Sequence, residues 1–125
     1  SNDLMTFMNS LLSLDIKKAY LYAEKISNEL NVLVINSILL KKAISMAYLS
    51  MGDSDTAMKY WHYNAYYIKD EISRSKKIGF NKLISFYIYI DKKLGNIYDN
   101  KDLFTRLCDL ILYSVKNLGT NSTLS

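Results

Sequence analysis

Tyr48-Leu49-Ser50-Met51-Gly52-Asp53-Ser54-Asp55-Thr56-Ala57-Met58-Lys59-Tyr60-Trp61 reads as a helix end, a tight turn and a new helix start in direct succession. Gly52 has no Cβ, so it accepts the left-handed backbone that closes a helix C-terminus. Asp53 follows it, in the place where a carboxylate caps the first free amides of the next helix, and Asp55 adds negative charge to the first turn. Two helices joined by so short a connection must run antiparallel. The unit is a helical hairpin.

The same punctuation recurs on both sides. Gly79, Gly95 and Gly119 each follow an amphipathic stretch, and the chain has no proline. Cations precede them: Arg74, Lys76 and Lys77 before Gly79, Lys92-Lys93 before Gly95, and Lys116 before Gly119. Positive charge in a last turn complements the helix dipole. Asp15, Asn31, Asn81, and Asp99 or Asn100 mark further helix starts. The pattern predicts an all-α fold of about six helices over 4–13, 15–30, 32–51, 54–78, 81–94 and 101–118. Ile16, Ala19, Ala23, Ile26 and Leu30 give the second helix one apolar stripe, and Phe104, Leu107, Ile111, Val115 and Leu118 do the same for the last. No segment alternates with a period of two, so no strand is expected. Short connections group the helices into three antiparallel hairpins, as a short solenoid or a compact bundle. Residues 1–119 then form a single domain, and 120–125 a small, polar, frayed tail.

With 125 residues, half of them apolar and 22% charged, the composition is that of a globular domain with its own core. The lone Cys108 excludes an internal disulfide and any site of several thiolates, which fits a reducing, cytoplasmic setting. No secretory signal is visible, and Ser1-Asn2-Asp3 opens the chain without an initiating Met, as in a processed protein or a piece of a longer one. The longest apolar run, Val32 to Leu40, is interrupted by Asn36 and Ser37 and stops at Lys41-Lys42. A membrane span needs about 20 apolar residues, so this run is expected to be a buried helix and no membrane association follows. The net charge of +4 permits weak attraction to polyanions without requiring it.

The 41–72 hairpin resembles a tetratricopeptide repeat. The likeness lies in Tyr48, the Gly52-Asp53 turn, Ala57 five residues past the glycine and Trp61 four further on. An Asp-to-small spacing is echoed earlier, where Asp15 and Ala19 stand as Asp53 and Ala57 do. The sequence departs from the family pattern at Asn64, where a small residue is expected, at Ser45, and in lacking the terminal proline. The resemblance implies a protein-binding stack of hairpins whose concave side is lined by the first helix of each. In that register Leu39, Lys42, Met46 and Leu49 would be exposed, forming a mostly apolar groove with one cation, suited to an amphipathic helix or an extended peptide.

Chemistry is sparse. His62, the single histidine, shares a predicted helix face with Lys59, Tyr66 and Lys69 and has no carboxylate three or four residues away. That places it in solvent rather than in a catalytic or metal site. Asp53-Ser54-Asp55 is a capping sequence before it is a metal motif, Asp70-Glu71 reads as a solvated pair, and Cys108 as a small buried thiol. No phosphate-cradling glycine loop, His-Glu-x-x-His or paired-cysteine motif is present. Asn121-Ser122-Thr123 fits the glycosylation sequon but sits in the tail. The chain is therefore expected to be no enzyme, with no catalytic, cofactor or metal residues and no cofactor.

Tyr60, Trp61, His62, Tyr63, Tyr66 and Tyr67 crowd two turns of the predicted fourth helix. Structurally, such a helix would fill the space beside neighbouring hairpins; functionally, it would offer an aromatic surface to a peptide or to stacked bases. Four lysine pairs, at 17–18, 41–42, 76–77 and 92–93, would bind nucleic acid only if the fold made them converge. The expected function is a non-enzymatic protein–protein interaction module (adaptor, scaffold or regulatory subunit). Its partner is a protein or peptide, with a homodimer as a second way to cover the groove. The alternative is a small helical nucleic-acid-binding accessory subunit.

Overall fold

The computed structural model describes residues 2–119, and these are all-helical, with no strand among them. The helices are α1 (Asn2–Ser13), α2 (Ile16–Glu29), α3 (Val32–Ser50), α4 (Ser54–Tyr60), α5 (Ile68–Ile78), α6 (Phe80–Leu94) and α7 (Leu103–Asn117). The tail 120–125, with its Asn121 sequon, lies outside the described residues.

Local chemistry sets most of these boundaries. Asp15 accepts from the Lys18 amide, Asn31 from Leu33 and Asp53 from Thr56, so each caps the helix it precedes. Gly52, with φ +81°, closes α3 in the left-handed region, and Gly79, with φ +96°, turns the chain from α5 into α6. Gly95 departs from the expectation. Its backbone is extended (φ −69°), and Asn96 takes the left-handed conformation instead. A glycine is needed at 95 because a Cβ there would collide with the Asp91 carbonyl.

The start of the last helix is also corrected. Neither Asp99 nor Asn100 caps it; its first turn follows Asp102, which has a positive φ and makes no side-chain cap bond. Asn100 works across the fold. Its Nδ2 donates to the Leu30 carbonyl (2.6 Å) and its Oδ1 accepts from the Val32 amide (2.9 Å), so one side chain satisfies the end of α2 and the start of α3.

α3 is the central element. It packs along α6, α4 and α5, while α1 pairs with α2, and α7 packs on α2, α6 and α1. The last helix thus meets the first hairpin directly and closes the bundle. Phe7, Ile26, Ile35, Leu39, Met46, Phe86 and Ile90 form part of one main core, and Leu49, Ala57 and Tyr63 a second, smaller one. By length and composition α3 is long and apolar enough to cross a membrane, and half of that window is covered inside the fold.

This centrality overturns the expected groove. Leu39, Met46 and Leu49 have no exposed surface, and Lys42 is only 5% exposed. The register assigned one side of α3 to solvent, but the helix carries apolar residues on more than one side; the assigned side is buried, and the exposed positions are Leu33, Val34, Ser37 and Lys41 instead. On α7, Leu107, Ile111 and Leu118 are buried as expected, whereas Phe104 and Val115 face outward. Cys108 is half-buried rather than enclosed.

The expected helix over 54–78 is broken. α4 ends at Tyr60, and α5 begins at Ile68. Ser45 of α3 donates to the Ala57 carbonyl (2.7 Å), which fixes how α4 lies against α3. Continued as one helix, that register would set residues near 60 opposite Lys42. Glu71 of α5 also comes to Lys42, so the intervening segment from Trp61 to Tyr67 is looped out. Two features hold the break. Asn64 accepts the Tyr66 amide on its side chain (2.8 Å) and the Tyr67 amide on its carbonyl (2.9 Å), a turn that competes with the helix. Tyr63 turns inward and donates its hydroxyl to Ser45 Oγ (2.8 Å).

Candidate functional site

The looped-out segment sits over Lys42, the one deeply buried cation among the described residues. Lys42 leaves α3 into a slot between two rings, its Nζ 4.5 Å from the centroid of Tyr63 and 5.3 Å from that of Trp61. Both faces attract the ammonium. Its ion-pair partner is Glu71 of α5, whose side chain is 17% exposed. Glu71 takes a second cation, Arg74 (2.6 Å), and Arg74 also donates to Asn9 Oδ1 of α1 (3.1 Å). The carboxylate expected to be solvated thus joins α1, α3 and α5. Among the described residues, the Arg74 Nε has no hydrogen-bond partner.

The electrostatics follow from burial. Loss of water pulls the Lys42 ammonium below the ordinary lysine range, and its bond to Glu71 and that carboxylate's charge pull it part of the way back. Burial raises the Tyr63 phenol to about 12, opposed by its bond to Ser45 and helped by the nearby Glu71 charge. The sign of the consequence is fixed. Above pH 10 the unfolded chain releases this proton while the folded chain keeps it, so stability falls as pH rises from 10 toward 12. Each such tyrosine contributes at most about 1.4 kcal/mol per pH unit, less where solvent screens it. Urea unfolding at pH 10 to 11.5 should show a shallower decline for Tyr63→Phe than for the unaltered chain; equal slopes would show that Tyr63 ionises freely.

Beside this pair opens a cleft of about 370 Å³, lined among others by Asn9, Trp61, Tyr67, Asp70 and Arg74, with the exposed His62 at its edge. Two larger clefts, of about 610 and 510 Å³, open near the Gly79 elbow; Arg74 lines the second, and neither is lined by Lys42 or Glu71. The polar groups around Lys42 are engaged with one another. Glu71 is engaged by two cations, and Ser45 is engaged by the Ala57 carbonyl and the Tyr63 hydroxyl. Among the described residues no three His, Cys, Asp or Glu side chains gather as a metal cluster.

The outer side of the loop is different. Tyr66 is 83% exposed and Tyr67 56%, their rings edge to face at 4.9 Å. Tyr60 lies stacked on Tyr48 at 5.8 Å and is also exposed, as are Met51 and Met58 nearby in the chain. Of the four residues expected to bind a partner, Lys42 and Leu49 reach this region from beneath, Leu49 through the small core it shares with Tyr63, and none lies on its outer side. Glu71, Arg74 and the inward turn of Tyr63 were not legible, although a lysine in the apolar Ile38–Met46 stretch was a signal that something must pair with it. No protein-family model, curated protein or solved structure matches the chain.

Lys42 is committed to Glu71, and Lys93 bonds to Asp109 (3.0 Å) while lying over Tyr89.

Proposed function

We propose that the chain is a non-enzymatic protein–protein interaction module whose contact surface is the aromatic loop and its surroundings, not the face of α3. The observation that carries this is the exposure of Tyr66 and Tyr67 on a loop held from below by Tyr63 and the Lys42–Glu71 pair. Large exposed rings on a well-anchored segment cost little entropy when a partner covers them, and Tyr, Trp and Met are enriched at the centres of interfaces. Met51 and Met58 add deformable apolar surface. The α3–α4 hairpin also keeps the features behind the repeat resemblance, a left-handed Gly52, a capping Asp53 and a buried Ala57. A peptide or helix with apolar anchors is the partner that suits this surface.

The test compares the unaltered chain with the double variant Tyr66→Ser, Tyr67→Ser as bait in nuclease-treated extract, followed by titration of the captured protein. The variant should bind at least tenfold more weakly, about 1.4 kcal/mol, with an unchanged melting temperature because both rings are outside the core. Equal capture by both baits overturns the reading. Capture that disappears with nuclease or falls steeply with salt would instead favour nucleic acid stacked on the tyrosines.

A further inference from the structure

We propose that the chain pairs with a second copy of itself through the outer face of α2 and α7, about a two-fold axis crossing both helices near their midpoints. α2 and α7 lie side by side and antiparallel. Asn100, just before α7, bonds to Leu30 and Val32 past the end of α2, and Gly119, just after α7, lies against Leu14 ahead of α2. Their inner sides supply Ala19, Ala23, Ile26, Leu107 and Ile111 to the core.

Their outer sides are apolar where solvent-facing helices are normally polar. On α7, Phe104, Leu112 and Val115 are 40%, 60% and 49% exposed, with the half-buried Cys108 between them. The spacings of four, four and three place all four on one flank of the helix. On α2, Leu21 is 66% exposed and Tyr20 38%, and Lys17 stands exposed one turn before them with Glu24 one turn after. Neither of these charges has an ion-pair partner among the described residues.

Charge complementarity selects the occupant. A two-fold axis lying in this face and perpendicular to the helices sets α2 antiparallel against α2 of the copy, and α7 antiparallel against α7. If the axis passes between Tyr20 and Leu21, Lys17 meets Glu24 of the second copy and Glu24 meets Lys17, with Leu21 and Tyr20 between them. The contacts at the two helix ends pair residue 14 with 119 and residue 30 with 100, so the same level on α7 falls near residue 111. The middle of the Phe104–Val115 stripe, between residues 109 and 110, lies within two residues of that level, and an axis there sets Phe104 against Val115 of the copy. Two helices with separate patterns thus agree on one axis. The helices have 14 and 15 residues; at about 1.5 Å per residue, packed about 9 Å apart, they present a face roughly 20 Å square. That is at the small end for a specific interface and implies a weak, concentration-dependent dimer.

Sedimentation velocity from about 5 to 500 μM reads this directly. The unaltered chain should pass from monomer to dimer within the range. Lys17→Glu and Glu24→Lys should each weaken the dimer about tenfold, because each sets like charges opposite one another twice. The double reversal, Lys17→Glu with Glu24→Lys, should restore it. Leu112→Arg should abolish it without lowering the melting temperature, whereas Tyr66→Ser with Tyr67→Ser should leave it intact, since the aromatic loop belongs to another surface. A chain monomeric throughout, a double reversal that restores nothing, or a dimer that survives Leu112→Arg would each overturn the proposal.

Discussion

Glu71→Ala is expected to lower the stability of the domain by about 3 kcal/mol, and Lys42→Met by clearly less. The asymmetry comes from what each change leaves behind. Without Glu71, the Lys42 ammonium stays almost enclosed, with two aromatic faces for attraction and Arg74, a like charge, as its neighbour. Without the Lys42 ammonium, Glu71 still holds Arg74 at 2.6 Å and keeps some contact with water. A methionine at 42 would also lay its thioether between Trp61 and Tyr63, a favourable contact for sulfur. Urea midpoints at constant slope measure both losses.

The deficit of Glu71→Ala should also shrink as pH rises through 10.5, above which the lysine loses its proton in the folded and unfolded chains alike. A lysine whose folded value is depressed penalises folding below that value, and the penalty fades as pH rises through the window up to the ordinary 10.5. Equal losses from the two substitutions, or a deficit indifferent to pH, would show that Lys42 is better solvated than its burial indicates.

The second large effect concerns the face of α3. Leu39→Asp or Met46→Asp should abolish cooperative unfolding altogether, and the milder Leu39→Ala should cost about 2–5 kcal/mol. Both side chains are fully enclosed in the main core, and an unpaired carboxylate there has no partner to replace water. Domains of this kind are stable by about 5–15 kcal/mol, so a buried charge consumes most of that margin. Far-ultraviolet circular dichroism during heating settles the point. A folded Met46→Asp chain with a normal transition would return this helix face to solvent and revive it as a binding groove.

The same two predictions mark where sequence reasoning reached and where it stopped. Asp15, Asn31 and Asp53 announce helix starts because a short polar side chain satisfies amides two or three residues away, an interaction complete within one turn. Gly52 and Gly79 announce ends for an equally local reason, since only their own backbone must turn left-handed. The stripe Ala19, Ala23, Ile26 and the trio Leu107, Ile111, Leu118 identify buried faces because helical periodicity is intrinsic to the chain. These features are enough to make the fold all-α.

Apart from the Asn64 turn, what gives the loop its character is non-local. Trp61 to Tyr67 contains no glycine or proline and reads as helix. The chain leaves the helix there because Tyr63 finds Ser45 across the fold and Lys42 finds Glu71 at a separation of 29 residues. Asn100 is similar, a plausible cap in sequence that instead ties α2 to α3 from about 70 residues away. Local capping and periodicity depend on neighbours in the chain and are written in it. Which side of an all-apolar helix is covered, and where a buried charge finds its counter-charge, depend on how the helices stack, and only the tertiary structure decides that.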